Sequence, residues 1–332
     1  MKRCDITVVI PAYNAEQYIK KCLDSVFIQK SKLTYNVICV DNASTDSTFD
    51  ILENYRIYDN FQVIHLDKNI GSYGARQKGM DNVDGKYLLF LDSDDYLDEN
   101  AFSVLEETLR KHGDLDAVLF QYSEFKNGTN EVYRIRDHFK YHDIVMGGEE
   151  AYVRNDIPTM PWNLIIKYDI LKNNNIPFAT SMPDDVDFVF RLYPFLKSMV
   201  LINKVLYHYR IIPTSTSRGV HAFIPYIEGY LEMMPRHLGY IHTFGNKEYW
   251  NKTFYKDYMN TLVFISKYKL INGKDEWLDN QITKLKDLLP NILKLCKNDD
   301  QYFYKLRRMK YSLDILLMVI TFLLRMKKAI SK

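Results

Sequence analysis

The sequence predicts an α/β protein, a doubly wound and mainly parallel sheet with flanking helices, followed by a helical C-terminal region. Three observations lead there. Up to about residue 121, short apolar or β-branched runs alternate with segments of helical period. Most of those runs end in loops rich in Pro, Gly, Asn, Asp and Ser. Beyond about residue 220 the strand pattern gives way to long, tyrosine-rich helical stretches. Such alternation builds parallel βαβ units, and in sheets of this kind ligands collect beyond the carboxyl ends of the strands. The chain has 332 residues, 47% hydrophobic and 26% charged, enough for one large domain or two smaller ones.

Ile6 to Ile10 is a β-branched strand that stops at Pro11. Residues 15–29 put Tyr18, Ile19, Cys22, Leu23, Val26 and Phe27 on one helical face. Val37 to Val40 is the second strand, and the loop after it, Asp41 to Thr48, is rich in helix-capping residues. A helix follows over about 47–56. Gln62 to Leu66 is the third strand, and Gly71 and Gly74 open a helix that runs to about Asn82. Tyr87 to Leu91 is the fourth strand, Ala101 to Lys111 a helix, and Asp116 to Gln121 a fifth strand. From about 122 to 215 the pattern is mixed. The loops at 11–14, 41–46, 67–74 and 92–95 all follow strands, so all four are expected along one edge of the sheet.

The chemistry concentrates in the last of these loops. Asp92, Asp94 and Asp95 bring three carboxylates within four residues to the end of a buried strand. Carboxylates this close repel one another, which raises the pKa of some unless a cation sits among them. The set suits a hard divalent metal and, with it, a phosphate. The plain alternative is an acidic loop that caps the next helix. A net charge of +2 supplies no field for nucleic acid, and no nucleic-acid partner is expected. The four cysteines form no C-x-x-C pair, and Cys22 and Cys39 read as small buried hydrophobes in a reducing compartment. With a strand beginning near residue 6, no signal peptide is expected ahead of it, and the expected location is cytoplasmic. No Walker A, G-x-S-x-G or H-E-x-x-H sequence occurs. His138 and His142 therefore read as part of a solvated polar stretch.

Five segments in order resemble motifs of the family 2 glycosyltransferases, inverting enzymes of the GT-A fold, in the form found in bacterial surface-glycan synthesis. Val8-Val9-Ile10-Pro11-Ala12-Tyr13-Asn14 resembles the family's opening. Val40-Asp41-Asn42-Ala43-Ser44-Thr45-Asp46 resembles V-D-D-x-S-x-D, with Asn42 for the commoner second Asp. Asn69-Ile70-Gly71 through Ala75-Arg76-Gln77 resembles N-x-G-x-x-x-A-R-N, with Gln77 for Asn. Asp92-Ser93-Asp94 resembles D-x-D, and Asp184-Asp185-Val186-Asp187-Phe188 resembles E-D-x-x-F with Asp184 for Glu. The likeness covers residues 5 to about 217.

The resemblance implies a UDP-sugar donor, a divalent cation (Mn²⁺ or Mg²⁺) and transfer of a hexose or N-acetylhexosamine to a hydroxyl of a glycan acceptor, lipid-linked acceptors included. It implies that Pro11 and Tyr13 lie at the base, that Asp41 accepts a hydrogen bond from uracil, and that Arg76 sits beside the nucleotide. Asp94 is implied as metal ligand, with Asp92 and Ser93 at the ribose or the hydrated cation, and His208 as a further ligand, a core or surface histidine being the alternative. Asp185 is implied as the general base that deprotonates the acceptor hydroxyl, with Asp184 as the alternative. Asp184 and Asp187 share a helix face and Asp185 points elsewhere; helix N-terminal acids favoured by the macrodipole are the plain reading of this trio. Trp162 is implied near the acceptor, with a plain packing role as the alternative, and Arg210, Ser215, Ser217 and Arg218 in a loop over the diphosphate. Asp95 is expected to cap the following turn and to matter least. The rival readings are a sugar-1-phosphate nucleotidyltransferase, which lacks its Gly-rich basic loop here, and a degenerate paralogue that binds a nucleotide-sugar or supports a partner.

The expected organisation is residues 1–220 as the transferase domain, split into a nucleotide-sugar half (1–121) and an acceptor half (122–220), with residues 221–332 helical. Leu313 to Leu324 is almost wholly apolar between basic flanks at Lys305, Arg307, Arg308 and Lys310, and at Arg325, Lys327 and Lys328. Twelve helical residues rise about 18 Å, too short to span a bilayer. The pattern suits shallow insertion at the inner face of the cell membrane, and equally docking on the body or on a second subunit in a homo-oligomer.

Overall fold

Strand β1 (Ile6–Ala12) is almost wholly buried, as its unbroken β-branched run requires. It leads to helix α1 (Ile19–Phe27), which buries Ile19, Cys22, Leu23 and Val26 on one face. The chain, seen in a computed structural model that describes residues 4–129, 131–136, 138–155, 157, 159–212, 223–244, 246–295 and 300–330, then continues the alternation. Strand β2 (Tyr35–Asp41), α2 (Thr48–Asn54), β3 (Phe61–His65), α3 (Gly71–Met80), β4 (Tyr87–Phe90), β5 (Tyr96–Leu97) and α4 (Ala101–His112) follow in order. The next elements are β6 (Ala117–Lys126), β7 (Val132–Arg136), β8 (Val145–Met146), α5 (Gly148–Arg154), β9 (Leu164–Lys167), α6 (Tyr168–Asn173), α7 (Asp184–Leu192) and β10 (Met199–Ile211).

One sheet runs in the order β3-β2-β1-β4-β9-β6-β10-β5, with β7 beside β6 and β8 beside β10. The first four strands are parallel, as the alternation predicts. Beyond β4 the sheet is mixed. Strand β9 enters antiparallel between β4 and β6, and β6 and β10 are again parallel. This explains the irregular pattern after residue 122. The expected boundary between halves at 121 falls inside β6, which is one continuous strand. The chain order reverses between β1 and β4, so their carboxyl ends open the crevice in which such sheets bind ligands.

Helix α3 is seated unusually close to this sheet. A Cβ on Gly79 would overlap Val9 Cγ1 of β1, so only glycine lets the helix backbone approach that far. Gly71, at φ 79°, makes the left-handed turn into the helix.

The chain divides into two compact units, residues 1–180 with 184–212 and residues 181–183 with 213–332. The second contains helices α8 (Phe223–Phe244), α9 (Lys247–Asn272), α10 (Glu276–Leu295) and α11 (Gln301–Ile330). Its core holds Trp250, Tyr249, Tyr258, Leu278, Leu285 and Leu306. No helix among the described residues is long and apolar enough to cross a membrane.

Candidate active site

The strand-end loops are tied to one another by side chains. Asn14 accepts from Thr45 N–H (2.8 Å), and Ser44 Oγ accepts from Asn14 N–H (3.0 Å). Asn42 is buried and joins the loop after β2 to the loop before α3. Its Oδ1 accepts from Ile70 N–H (2.9 Å), while its Nδ2 donates to Asn69 Oδ1 (3.0 Å) and to Gly71 O (3.2 Å). A backbone N–H can only donate, so the orientation of the amide is determined. An Asp here would meet two acceptors with no hydrogen to give. The departure at Asn42 thus has a structural reason.

Asp41, at the end of β2, has no exposed surface. Its Oδ2 is 2.6 Å from His65 Nδ1, and its Oδ1 accepts from Ser44 N–H at 3.3 Å. His65 is 44% exposed and lies against the Phe49 ring. Sequence reasoning missed this histidine. The signal was register: Asp41 and His65 are direct partners across β2 and β3. Pro11 lies in β1, and Tyr13, just beyond it, is 48% exposed on the same edge.

Arg76 gathers the acids. It projects from α3 and is only 7% exposed. Nη2 donates to Asp92 Oδ1 at 2.7 Å, and Nη1 lies 3.3 Å from Asp184 Oδ2 and 3.2 Å from Asp185 Oδ1. Its Nε is buried and finds no acceptor among the described residues. Burial pushes the Asp185 carboxyl up, Arg76 opposes this, and Asp184 and Asp92 reinforce it. Burial raises Asp184 in the same way, again opposed by Arg76. Asp187, on the turn shared with Asp184, is buried against Arg191 in the same helix (2.9 Å) and supports the fold. Gln77 accepts from Phe178 N–H (2.9 Å), and Phe178 stacks on Phe188 of α7 at 4.2 Å. The helix carrying Arg76 and the helix carrying Asp185 are thereby joined a second time.

Asp94 stands apart from that cluster. No ion pair reaches its carboxylate among the described residues, and burial, with Asp92 beside it, pushes its pKa up to about 6. Two carboxylates spaced by Ser93, one without an ion pair among the described residues, fit a hard divalent cation that takes its remaining ligands from phosphate and water. Among the described residues no three His, Cys, Asp or Glu gather at ligating distance. Among the described residues, Asp92 and Asp94 are the acids of this loop that such an ion could use.

Several expected residues lie elsewhere. His208 does not join Asp94: its Nδ1 meets Ser123 Oγ at 2.7 Å, its Nε2 meets Asp98 Oδ2 at 3.3 Å, and its ring stacks on Tyr96. Both of its ring nitrogens are thus engaged within the chain. Trp162 is 4% exposed and stacks on Tyr207 and Tyr209, with centroids at 4.4 and 5.6 Å. It supports β10 from the core. Asp95 does not cap a turn. It is buried and ties the loop to β10, accepting from the Tyr207 hydroxyl and from Arg210 N–H at 2.6 Å each. Arg210 packs on Tyr18 and Phe125 and donates from Nε to Asp94 O at 2.7 Å. Ser215, Ser217 and Arg218 lie outside the described residues.

Residues 7–177 match the family described as Glycosyl transferase family 2. A poly(ribitol-phosphate) beta-glucosyltransferase of Bacillus spizizenii is 31% identical over 234 residues, 67% of this chain and 34% of that one. The glycosyltransferase GlyA of Streptococcus pneumoniae is 27% identical over 222 residues, 64% of this chain and 31% of that one. The chain thus spans about a third of the length of these two curated relatives. Among solved structures, S. aureus TarS 1-349 in complex with UDP-GlcNAc superposes with a TM-score of 0.68 at 22% identity, covering 88% of this chain and 82% of that one. That likeness is one of fold, and it bears out the GT-A architecture.

Proposed function

The chain belongs to glycosyl transferase family 2, and from that premise we propose that it is an inverting glycosyltransferase. It moves a hexose or N-acetylhexosamine from a UDP-sugar to a hydroxyl of a glycan acceptor, lipid-linked acceptors included. The observation that carries this reading is the single guanidinium of Arg76 between Asp92 on one side and Asp184 and Asp185 on the other. It puts the acid that serves the leaving group and the acid that serves the nucleophile within one side chain's span. A UDP-sugar donor is supported by the UDP-GlcNAc complex of the TarS neighbour. It is supported too by the exposed ring of Tyr13, just beyond β1, and by the half-exposed His65 at the end of β3, an apolar face and a hydrogen-bonding group of the kind a pyrimidine base requires.

Asp92 and Asp94 would hold Mg²⁺ or Mn²⁺, an ion that neutralises charge on a departing diphosphate. The remaining work falls to the chain's own residues. Asp185 takes the proton of the acceptor hydroxyl as that oxygen attacks the anomeric carbon. The new C–O bond forms opposite the bond to the diphosphate, whose electron pair leaves with UDP, and the configuration inverts. Burial gives Asp185 the raised proton affinity that suits a base, and the Arg76 guanidinium lies 3.2 Å from its carboxylate as the nearest cation. Asp184, the alternative base, is nearly buried and orients Arg76.

The test is Asp185→Asn. Sugar transfer should be abolished while UDP-sugar binding, measured by calorimetry with Mn²⁺, is retained. Unchanged turnover would overturn the assignment.

A further inference from the structure

Helix α11 carries two apolar faces. One, with Leu306, Met309, Leu313 and Leu317, is buried and packs against α9 and α10. The other is open: Ile315, Met318, Val319, Phe322 and Leu323 are each between 46% and 63% exposed. At about 100° per residue these five cluster on the side opposite the buried face. Tyr304, 46% exposed, falls on the same line about five turns before Phe322. Scattered exposed apolar residues are ordinary, but a continuous stripe of large ones marks an interaction surface.

Charge selects the partner. The α11 sequence contains seven Lys and Arg residues and one acid, Asp314. Lys305, Arg307, Arg308 and Arg325 are exposed and bracket the stripe. Asp314 is already engaged by Lys286 at 3.0 Å. Two copies meeting through the stripe would oppose like charges whether parallel or antiparallel. An anionic surface complements both ends at once. The stripe from Ile315 to Leu323 rises only about 12 Å, so the helix would lie in the surface plane.

We propose that the outer face of α11 docks on an anionic lipid bilayer, with Ile315, Met318, Val319, Phe322 and Leu323 entering the headgroup boundary and the flanking Arg and Lys residues contacting lipid phosphates. This goes beyond the catalytic reading and stands without it.

The experiment is co-sedimentation of the full chain with phosphatidylglycerol–phosphatidylcholine vesicles and with phosphatidylcholine vesicles alone. Light scattering without lipid reports oligomeric state. Wild type should partition onto the anionic vesicles, and Ile315→Asp/Phe322→Asp should weaken this by at least about tenfold. Arg307→Ser/Arg308→Ser should remove the preference for anionic lipid. Because these positions are exposed, the circular dichroism melting temperature should stay at the wild-type value; a variant that melts early is replaced by Met318→Ser/Leu323→Ser. Absence of vesicle binding by wild type, or equal binding by the stripe variants, overturns the proposal. So does a dimer that the stripe variants dissociate and that fails to bind vesicles.

Discussion

His65 Nδ1 lies 2.6 Å from Asp41 Oδ2, so a half-exposed imidazole closes off a carboxylate that solvent does not reach. A buried carboxylate depends on such partners, because their loss leaves its desolvation uncompensated. His65→Phe should raise KM for the UDP-sugar by about tenfold to a hundredfold, from a lost hydrogen bond to a charged group of about 1.5–3 kcal/mol. The effect on kcat should be small, since the pair lies at the proposed base site and not at the reacting carbon. Steady-state kinetics over donor concentration separates the two constants. A loss confined to kcat would remove Asp41 from donor binding.

The Asp94 carboxyl, at about 6 against an ordinary 3.8, makes a signed prediction. Between those values the folded chain keeps a proton that the unfolded chain has released. Stability of the ligand-free protein should therefore fall as pH rises through this window and stay low above it. The share due to Asp94 is about 1–3 kcal/mol, and Asp94→Asn should remove it. Adding Mn²⁺ should raise the melting temperature more at pH 7.5 than at pH 5, where the proton competes, and Asp94→Asn should lose that increment. Thermal melts in EDTA and in Mn²⁺ at the two pH values read all three.

Arg76 compensates acids that cannot otherwise be ionised in place. Arg76→Ala leaves the nearly buried Asp184 without its cation and should cost about 3–5 kcal/mol in urea denaturation. Arg76→Ala/Asp184→Asn should recover part of that stability. Transfer should remain lost in both, because Asp185 has lost its nearest cation. Recovery of activity in the double variant would make Arg76 a purely structural residue.

Asn42→Asp, though it restores the residue commoner in related motifs, should destabilise the protein by about 1–3 kcal/mol. The new oxygen would face Asn69 Oδ1 and Gly71 O. If Asn69 turned its amide to donate instead, Gly71 N–H would lose the acceptor it holds at 2.8 Å. Urea midpoints for Asn42→Asp and Asn42→Ala should order the aspartate as the worse of the two.

Much of this site was legible because strands and their end loops announce themselves locally. The apolar runs located β1 to β4, and the loops after them do meet, as the Asn14–Ser44 and Asn42–Asn69 hydrogen bonds show. What could not be read was whatever depends on register or on the facing of one strand. His65 meets Asp41 only because β2 and β3 align them. Along β10, Tyr207 and Tyr209 turn toward Trp162 while His208 turns toward Tyr96 and Ser123. One position of shift would have reversed those roles. Asp95 looked expendable beside Asp92 and Asp94, but 112 residues separate it from the tyrosine it holds.

Gly79 occupies the same helical face as Arg76, one turn further along α3, where a single methyl group would collide with Val9. The missing side chain works as a depth gauge: it determines how far the helix sinks, and so whether the guanidinium three residues earlier reaches the acids opposite. A residue that touches neither donor nor acceptor can in this way govern the enzyme, and genetic variation there would mimic damage to the chemistry itself.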